Sequence, residues 1–422
     1  MRVVVVALGK IGLPLAAHIA AAGHDVTGCD IDSRVVDLVN DAVEPFPGET
    51  GLAEALAQLV PAGRLRASAD TAAAVAEGPE LVIAVAPLAV DRTAAPDYAM
   101  LDAAVDEIGR GLRRGSTVSI ETTVPVGTTR NRVAPALARR SGLHSEQDFH
   151  TVHSPERVYS GRVFQDLATY PKLVGGLSEA GERRAVSLYE SFIDAEVRGM
   201  AGAETAELTK LAETTYRDVN IALANEFAIY ADSAGVDIGR VIDAANTQPF
   251  SHIHRPGIAV GGHCIPVYPR FYLAGHAGAA LPTAARAVNE GMPAYAVGLV
   301  AEAFGGELVG RRVLILGVAY RGGVKEAAFS GAFPLDAALR EVGASPLASD
   351  PLYTDEELTS LGLTPWDGRA VEAAIVQADH AQYATLTPDD VPGALALVDG
   401  RGIVDRGPWV AAGIAVRRIG GG

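Results

Sequence analysis

Residues 3 to 30 constrain the fold more than any other stretch of the chain. Val3 to Ala7 is a run rich in β-branched residues that opens into a turn holding Gly9 and Gly12. An Ala-rich stretch of helical character, Leu13 to Ala22, follows, and then a second strand-like run, Asp25 to Cys29, that ends in Asp30. Strand, tight turn, helix and strand in that order make a βαβ unit, which requires two parallel strands with a helix laid across them. Strand-like runs at Leu81 to Ala86, Thr117 to Glu121 and Lys172 to Gly175 extend the pattern into a mostly parallel sheet. The apolar strand running into a Gly-rich turn returns in GRRVLILGVAYRGG, residues 310 to 323, with more strands expected at Ser345 to Ser349, Ala373 to Gln377 and Ala396 to Val398. Between the two lies helical periodicity from about Gly202 to Ala301, in which Glu204 to Ala234 carries neither Pro nor Gly. The expected fold class is α/β, with two doubly wound domains joined by a central helical region.

Charge narrows the function. The chain has 35 Lys+Arg against 51 Asp+Glu, a formal net charge of −16, which argues against a nucleic-acid clamp; a polyanionic ligand would need local basic groups and backbone N–H donors. No apolar run reaches the roughly 18 to 20 residues that span a bilayer, and MRVVVVALGKIG lacks a signal-peptide core, so no membrane partner and a cytoplasmic location are expected. Two cysteines, Cys29 and Cys264, cannot form a disulfide framework, and no Cys/His spacing suggests a structural metal.

Five segments carry chemistry. Ala7-Leu8-Gly9-Lys10-Ile11-Gly12 followed by Asp30 fits a dinucleotide-binding turn of the Rossmann type: glycine lets a pyrophosphate approach, the helix start offers N–H donors, and the acid accepts from ribose hydroxyls. Ala7 stands where the first glycine is usual. Asp30 favours NAD over NADP because a carboxylate repels a 2′-phosphate, a preference tempered by Arg34 nearby. In Gly261-Gly262-His263-Cys264-Ile265-Pro266, the glycines leave room for a ligand beside a cysteine, which is either a nucleophile or a small buried hydrophobe. The default for His263 is a hydrogen-bonded structural histidine. Glu121 to Thr129, ETTVPVGTT, ends a strand and starts a helix: Thr128 or Thr129 reads as a cap and Thr123 as the site candidate. His153-Ser154-Pro155-Glu156-Arg157 holds a Glu-Arg pair whose default is a solvated surface pair. Lys210, in the long helix, is by default a surface charge.

Together these segments resemble the UDP-glucose/GDP-mannose dehydrogenase family, the nucleotide-sugar 6-dehydrogenases, over nearly the whole chain. The resemblance is carried by ALGKIGLPLA at 7 to 16 with GCDID at 28 to 32, ETTVPVGTT at 121 to 129, HSPERVYSG at 153 to 161, KLAETTYRDVNIALANE at 210 to 226, PGIAVGGHCIPVYP at 256 to 269, LGVAYRGGVKE at 316 to 326, ADH at 378 to 380 and DGR at 399 to 401. It implies an NAD domain over 1–200, a helical dimerisation region with the cysteine loop over 201–305, and a domain over 306–422 for the nucleotide part of a nucleotide-sugar substrate, in a homodimer or higher homo-oligomer. It also implies oxidation of a C6 alcohol to a carboxylate in two NAD-dependent steps. Cys264 aligns with the nucleophile that forms a thiohemiacetal and then a thioester, Lys210 with a lysine that stabilises oxyanions, and Thr123 and Glu156 with residues near the nicotinamide and an ordered water. Cofactor contacts then fall to Gly9, Lys10, Ile11, Gly12, Asp30, Arg34, Thr123 and Glu156, and substrate contacts to Arg157, Lys210, Arg255, Gly261 and Arg321.

The chain also departs from the family. Many members have an Asp four residues after the cysteine and an Asn four after the lysine, where this chain has Tyr268 and Thr214; these join the expected catalytic set. Tyr268 supplies a hydroxyl in place of a carboxylate. Ala328-Phe329-Ser330-Gly331 lacks the usual Arg before Ser-Pro, and Val85-Ala86-Pro87-Leu88 replaces Val-Pro-Thr-Pro. The competing outcomes are an epimerase or a partial oxidation that keeps NAD bound, and a non-catalytic nucleotide-sugar sensor.

Overall fold

The computed structural model describes every residue except Pro47, Arg92 and Ser160, so the last-but-one residue of the HSPERVYSG motif lies outside the described residues. The chain divides into two units, Met1–Glu213 with Arg270–His276, and Thr214–Pro269 with Ala277–Gly422.

The first unit is built on an eight-stranded sheet. Its strands are β1 (Arg2–Val6), β2 (Asp25–Cys29), β3 (Leu65–Ser68), β4 (Leu81–Ala84), β7 (Thr117–Ile120), β8 (His150–His153), β9 (Lys172–Gly176) and β10 (Val197–Gly199), while β5 (Ala89–Val90) and β6 (Pro96–Asp97) form a separate hairpin. The order is β10-β9-β8-β7-β4-β1-β2-β3, and every pairing is parallel except β8 with β9. The strand order reverses at β1, where successive connections leave in opposite directions and the loops at the carboxyl ends of the strands part to make a crevice. The strands β4, β7 and β9 are buried along their whole length, as expected when both faces of a parallel sheet are covered.

The second unit contains a five-stranded, all-parallel sheet, β12-β11-β13-β14-β15, with β11 at Arg312–Leu316, β12 at Ser345–Ser349, β13 at Ala373–Val376, β14 at Ala396–Asp399 and β15 at Ala415–Arg418. Its core gathers Val313, Ile315, Ile375 and Val398 from the sheet against Leu335 and Leu339 of the helix Ala332–Glu341 and Met292, Ala296 and Val300 of the helix Ala280–Glu302. The long helix Ala203–Ala234 begins in the first unit and ends in the second.

The two sheets repeat one device. Ala7 donates its N–H to the Cys29 carbonyl at 2.8 Å, and Leu8 donates to Asp30 Oδ2 at 2.7 Å. In the second sheet Gly317 donates to the Ser349 carbonyl at 2.8 Å, and Val318 to Asp350 Oδ2 at 2.6 Å. Both leading residues are left-handed, Ala7 at φ 75° and Gly317 at φ 97°, so Ala7 ends the strand one residue earlier than its apolar pattern suggests and accepts roughly 1–2 kcal/mol of steric strain that glycine avoids. Its carbonyl explains Gly12: a Cβ there would lie 1.9 Å from Ala7 O. Gly12→Ala is therefore expected to destabilise the first unit by about 1–3 kcal/mol, read as a lower denaturant midpoint without added nucleotide; an unchanged midpoint contradicts this packing.

Candidate active site

The cofactor-type turn has the geometry its residues suggest. Gly9, Lys10, Ile11 and Gly12 lead from β1 into the helix Gly12–Ala21, and a Cβ added at Gly9 would meet nothing within 4 Å, leaving open space beside a helix start. Asp30 accepts from Leu8 N–H with Oδ2 and from Asp32 N–H at 2.9 Å with Oδ1. A carboxylate has about four acceptor positions, so roughly two are left for ribose hydroxyls. Arg34 does not reach Asp30; its Nε and Nη2 bind Asp32 at 3.1 and 2.7 Å. Its charge is paired on the surface with Asp32, at 2.7 Å. These residues could hold NAD, with its pyrophosphate at Gly9 and the helix start and a ribose at Asp30.

Beyond β7, Thr123 is buried. The hydroxyls that follow are not helix caps. Thr128 donates to the Pro125 carbonyl at 2.6 Å, and the amide and hydroxyl of Thr129 both donate to Glu207 Oε1, at 2.9 and 2.7 Å. Glu207 also accepts from Gly127 N–H. A tertiary carboxylate thus caps this helix start, which motif spacing alone does not reveal. Burial holds the Glu207 carboxyl above its usual value against these donors. Glu207 precedes Lys210 by one turn, and Lys210 is buried, in place of the surface default for a helical lysine. Thr214, four residues further and also buried, lies on the same helix face.

Glu156 is the centre of a buried charge cluster. Its Oε1 accepts from Arg157 N–H at 2.6 Å and Val158 N–H at 3.0 Å, and its Oε2 accepts from Lys172 Nζ at 3.0 Å. The same ammonium binds Glu121 Oε2 at 2.7 Å, Tyr189 donates to the other Glu121 oxygen, and the Tyr189 hydroxyl also bonds Ser119 Oγ at 2.8 Å. Burial pushes the Glu121 carboxyl up to about 7, aided by the Glu156 charge and opposed by Lys172. Burial acts on Glu156 in the same sense, but Lys172 and the hydrogen bonds outweigh it and hold that carboxyl below its usual range. Burial likewise opposes the Lys172 charge, yet the two carboxyl groups keep the ammonium above its ordinary value. Burial and then Lys172 push His153 down to about 3, so this fully buried imidazole is neutral. Arg157 is no solvated ion: it donates to the Pro171 carbonyl at 3.1 Å and pairs with Glu213 at 2.6 Å.

In the second unit Cys264 is an exposed free thiol at the first residue of the helix Cys264–Gly275, and Tyr268 follows it by one turn. The glycine pair before it is shaped by Tyr320: a Cβ on Gly261 would lie 2.5 Å from Tyr320 Cβ, and one on Gly262, at φ 80°, 3.3 Å from its ring. The room expected there for a ligand is taken, on that side, by Tyr320. Gly262 N–H donates to Ala328 O at 2.9 Å, Asn225 receives Gly257 N–H at 2.9 Å, and Arg286 donates to Ile265 O at 3.2 Å, so both flanks of the cysteine loop are held by buried groups. His263 is exposed and meets Phe329 edge-on at 5.9 Å instead of serving as a buried, hydrogen-bonded histidine. Arg321 bonds the Tyr320 hydroxyl at 3.0 Å; Arg255 donates to Gly239 O at 3.1 Å and pairs with Asp243.

Sequence reading missed Glu121, Lys172, Tyr189 and Glu207 as site groups. The available signal was a charged residue at the end or start of a strand otherwise made of apolar and small residues, TVSI before Glu121 and LVGG after Lys172. Among the described residues no cluster of His, Cys, Asp and Glu suits a metal, and no helix is long and apolar enough to cross a membrane.

Comparison with known proteins agrees with this geometry. Residues 1–193 match the model of the UDP-glucose/GDP-mannose dehydrogenase family, NAD binding domain, and residues 204–290 match that of the same family's central domain. A UDP-N-acetyl-D-mannosamine dehydrogenase of Pyrococcus horikoshii is 34% identical over 431 residues, covering 100% of both chains. An NDP-N-acetyl-D-galactosaminuronic acid dehydrogenase of Ralstonia solanacearum is 37% identical over 313 residues, covering 71% of each. Among solved structures, a UDP-D-ManNAc dehydrogenase from Pyrococcus horikoshii matches with a TM-score of 0.89 at 33% identity over 100% of both chains. Gly9→Ala is expected to leave the stability of the protein alone unchanged while weakening NAD binding by about tenfold or more, because the new methyl group occupies the approach to the turn; calorimetric titration with NAD checks this, and undiminished affinity contradicts the assigned position.

Proposed function

The chain belongs to the UDP-glucose/GDP-mannose dehydrogenase family, and from that premise we propose that it oxidises the C6 alcohol of a UDP-linked N-acetylhexosamine to a carboxylate through an adduct on Cys264. Its cofactor is NAD and its reaction is the oxidation of a nucleotide sugar. Support for the sugar comes from the two similar enzymes, whose names share an acetamido hexose. The observation that carries the covalent step is Cys264, an exposed thiol at a helix start, where unpaired backbone amides attract negative charge.

Bound NAD would supply a hydride acceptor, and two NAD molecules in turn would be reduced per product. Loss of a hydride and the hydroxyl proton from C6 gives an aldehyde. Cys264 Sγ adds to its carbonyl carbon, making a C–S bond and a thiohemiacetal, and loss of the second hydride leaves a thioester. Water then adds to the thioester carbon, the C–S bond breaks, the thiol returns, and the sugar departs as a carboxylate. Lys210 is assigned to the oxyanions formed along this path, where a fixed ammonium acts most strongly in a dry setting. Glu156, kept ionised by Lys172 and two amides, is assigned to orient and deprotonate the water, and Thr123 to the nicotinamide side. Tyr268, one turn after Cys264, supplies a hydroxyl donor to the adduct oxygen, and Thr214 stands one turn after Lys210.

We assign residues 1–200 to NAD, 201–305 to the helical region and 306–422 to the nucleotide end of the substrate, with Gly261 and Arg321 as contacts there. Arg157 and Arg255 would have to leave Glu213 and Asp243 to bind a phosphate. A homodimer and a cytoplasmic location belong to the same reading. Tyr216, Leu223, Phe227 and Tyr230 leave an apolar stripe of the long helix exposed, at 57%, 41%, 38% and 73%, which supports the first; two free cysteines support the second.

Incubating UDP-N-acetylmannosamine, UDP-N-acetylgalactosamine, UDP-N-acetylglucosamine and UDP-glucose with excess NAD and weighing the products tests the proposal. A uronate from an acetamido sugar is expected, and Cys264→Ala should abolish it; uronate formed by that variant at the parent rate excludes the covalent path, and an aldehyde or epimer from the parent protein replaces the reaction assigned here.

A further inference from the structure

We propose, with the water-handling role of Glu156 as premise, that Lys172 and Glu121 are positioning residues for thioester hydrolysis: one buried ammonium, shared by two carboxyl groups, fixes the orientation and basicity of Glu156. Glu121 follows β7, Glu156 lies in the segment after β8, and Lys172 opens β9, so three neighbouring strands impose the arrangement. Rotating the Glu156 carboxylate would break three donor contacts at once, two from the backbone and one from Lys172. Lys172 and Glu121 are 5% and 0% exposed, and the ammonium also lies 5.5 Å from the centre of the Tyr189 ring. A cavity of about 10 Å³, room for one water, is lined by Glu156, Arg157 and Lys172.

The cluster holds one more carboxyl group than it has cations. The groups acting on Glu121 are Lys172, Glu156 and Tyr189, and Lys172 in turn depresses the buried His153 and, after burial, His18. While Glu121 is protonated it still accepts from Lys172 but carries no charge, so the ammonium's charge is matched by Glu156 alone. As pH rises through about 7 Glu121 ionises, competes for the same ammonium and adds a negative charge, making Glu156 a stronger base. In hydrolysis the water oxygen bonds the thioester carbon, one water proton passes to Glu156, and the C–S electron pair leaves on sulfur. Release of the carboxylate should therefore quicken as pH rises through about 7.

The test is a single-turnover measurement of carboxylate release from full-length protein with excess NAD and the nucleotide sugar turned over by the parent, while intact mass follows the adduct on Cys264. Lys172→Met also raises the Glu156 carboxyl, but it removes the donor that holds the carboxylate in place, and the lost orientation should slow release by about tenfold or more, a part of what a positioned acid–base group contributes, and accumulate the adduct, with Lys172→Arg recovering part of the rate. Glu121→Gln, which keeps the acceptor for Tyr189, should flatten the rise near pH 7; it decides the matter alone if Lys172→Met does not fold. Release by Glu121→Gln with the parent pH profile, or by folded Lys172→Met at the parent rate, overturns the proposal. Glu156→Gln separates the two levels: if it slows release and the other variants do not, only the positioning role falls, and if it does not, both fall.

Discussion

A carboxylate at the end of one strand, accepting the first free amide of the loop that leaves its neighbour, is the interaction on which both units depend. Asp30 does this for Leu8 and Asp350 for Val318, at 2.7 and 2.6 Å. Without it, the backbone at a strand end would turn into the crevice with an unpaired N–H group, a loss of about 1–3 kcal/mol if buried. With it, the loop is pinned and the helix start beside it is presented at the sheet edge. In the first unit the same acid accepts a second amide, that of Asp32, and has acceptor positions left over. In the second, His380 approaches Asp350 Oδ2 at 3.0 Å, and both residues are buried. The duplicated device therefore supports different surroundings in the two sheets.

Function is then set by where charge has been taken out of water. Breaking a buried ion pair typically costs about 3–5 kcal/mol, whereas an apolar replacement for the whole pair is often harmless. The buried cluster of Glu121, Lys172 and Glu156 thus makes little sense as a stability device and more as a means of holding one carboxylate ionised in one orientation. Glu207 follows the same logic: its carboxylate binds two amides and a hydroxyl around the segment that follows Thr123, one turn from Lys210. The cysteine loop is fixed by neutral and cationic donors instead, leaving the Cys264 thiol exposed.

Much of this was legible in the sequence, because β1, the first helix, β2 and Asp30 follow from alternating local preferences that tertiary contacts reinforce. The strands β3, β10 and β15 were not: LRAS, VRG and AVRR are short or edge segments that are only partly buried, so they carry no continuous apolar run. The reversed direction of β9 against β8 is also invisible locally, since strand direction depends on the path of the connection. In the candidate site, the glycine turn and Cys264 announce themselves by residue type, whereas the cluster around Glu156 joins residues 51 and 16 positions from Lys172 and exists only once three strands lie side by side. A lysine at a strand end reads as solvated until its partners are known. Thr128 and Thr129 mislead for a related reason, because the carboxylate that caps their helix lies 78 residues beyond Thr129.

Two successive oxidations on one cysteine are read in the ratio of NADH formed to UDP-N-acetylhexosamine consumed with NAD in excess. Each oxidation moves one hydride, so about two NADH per sugar are expected. A ratio near one would show that the site with Tyr268 and Thr214 stops at the aldehyde, and consumption of sugar without NADH would contradict net oxidation altogether.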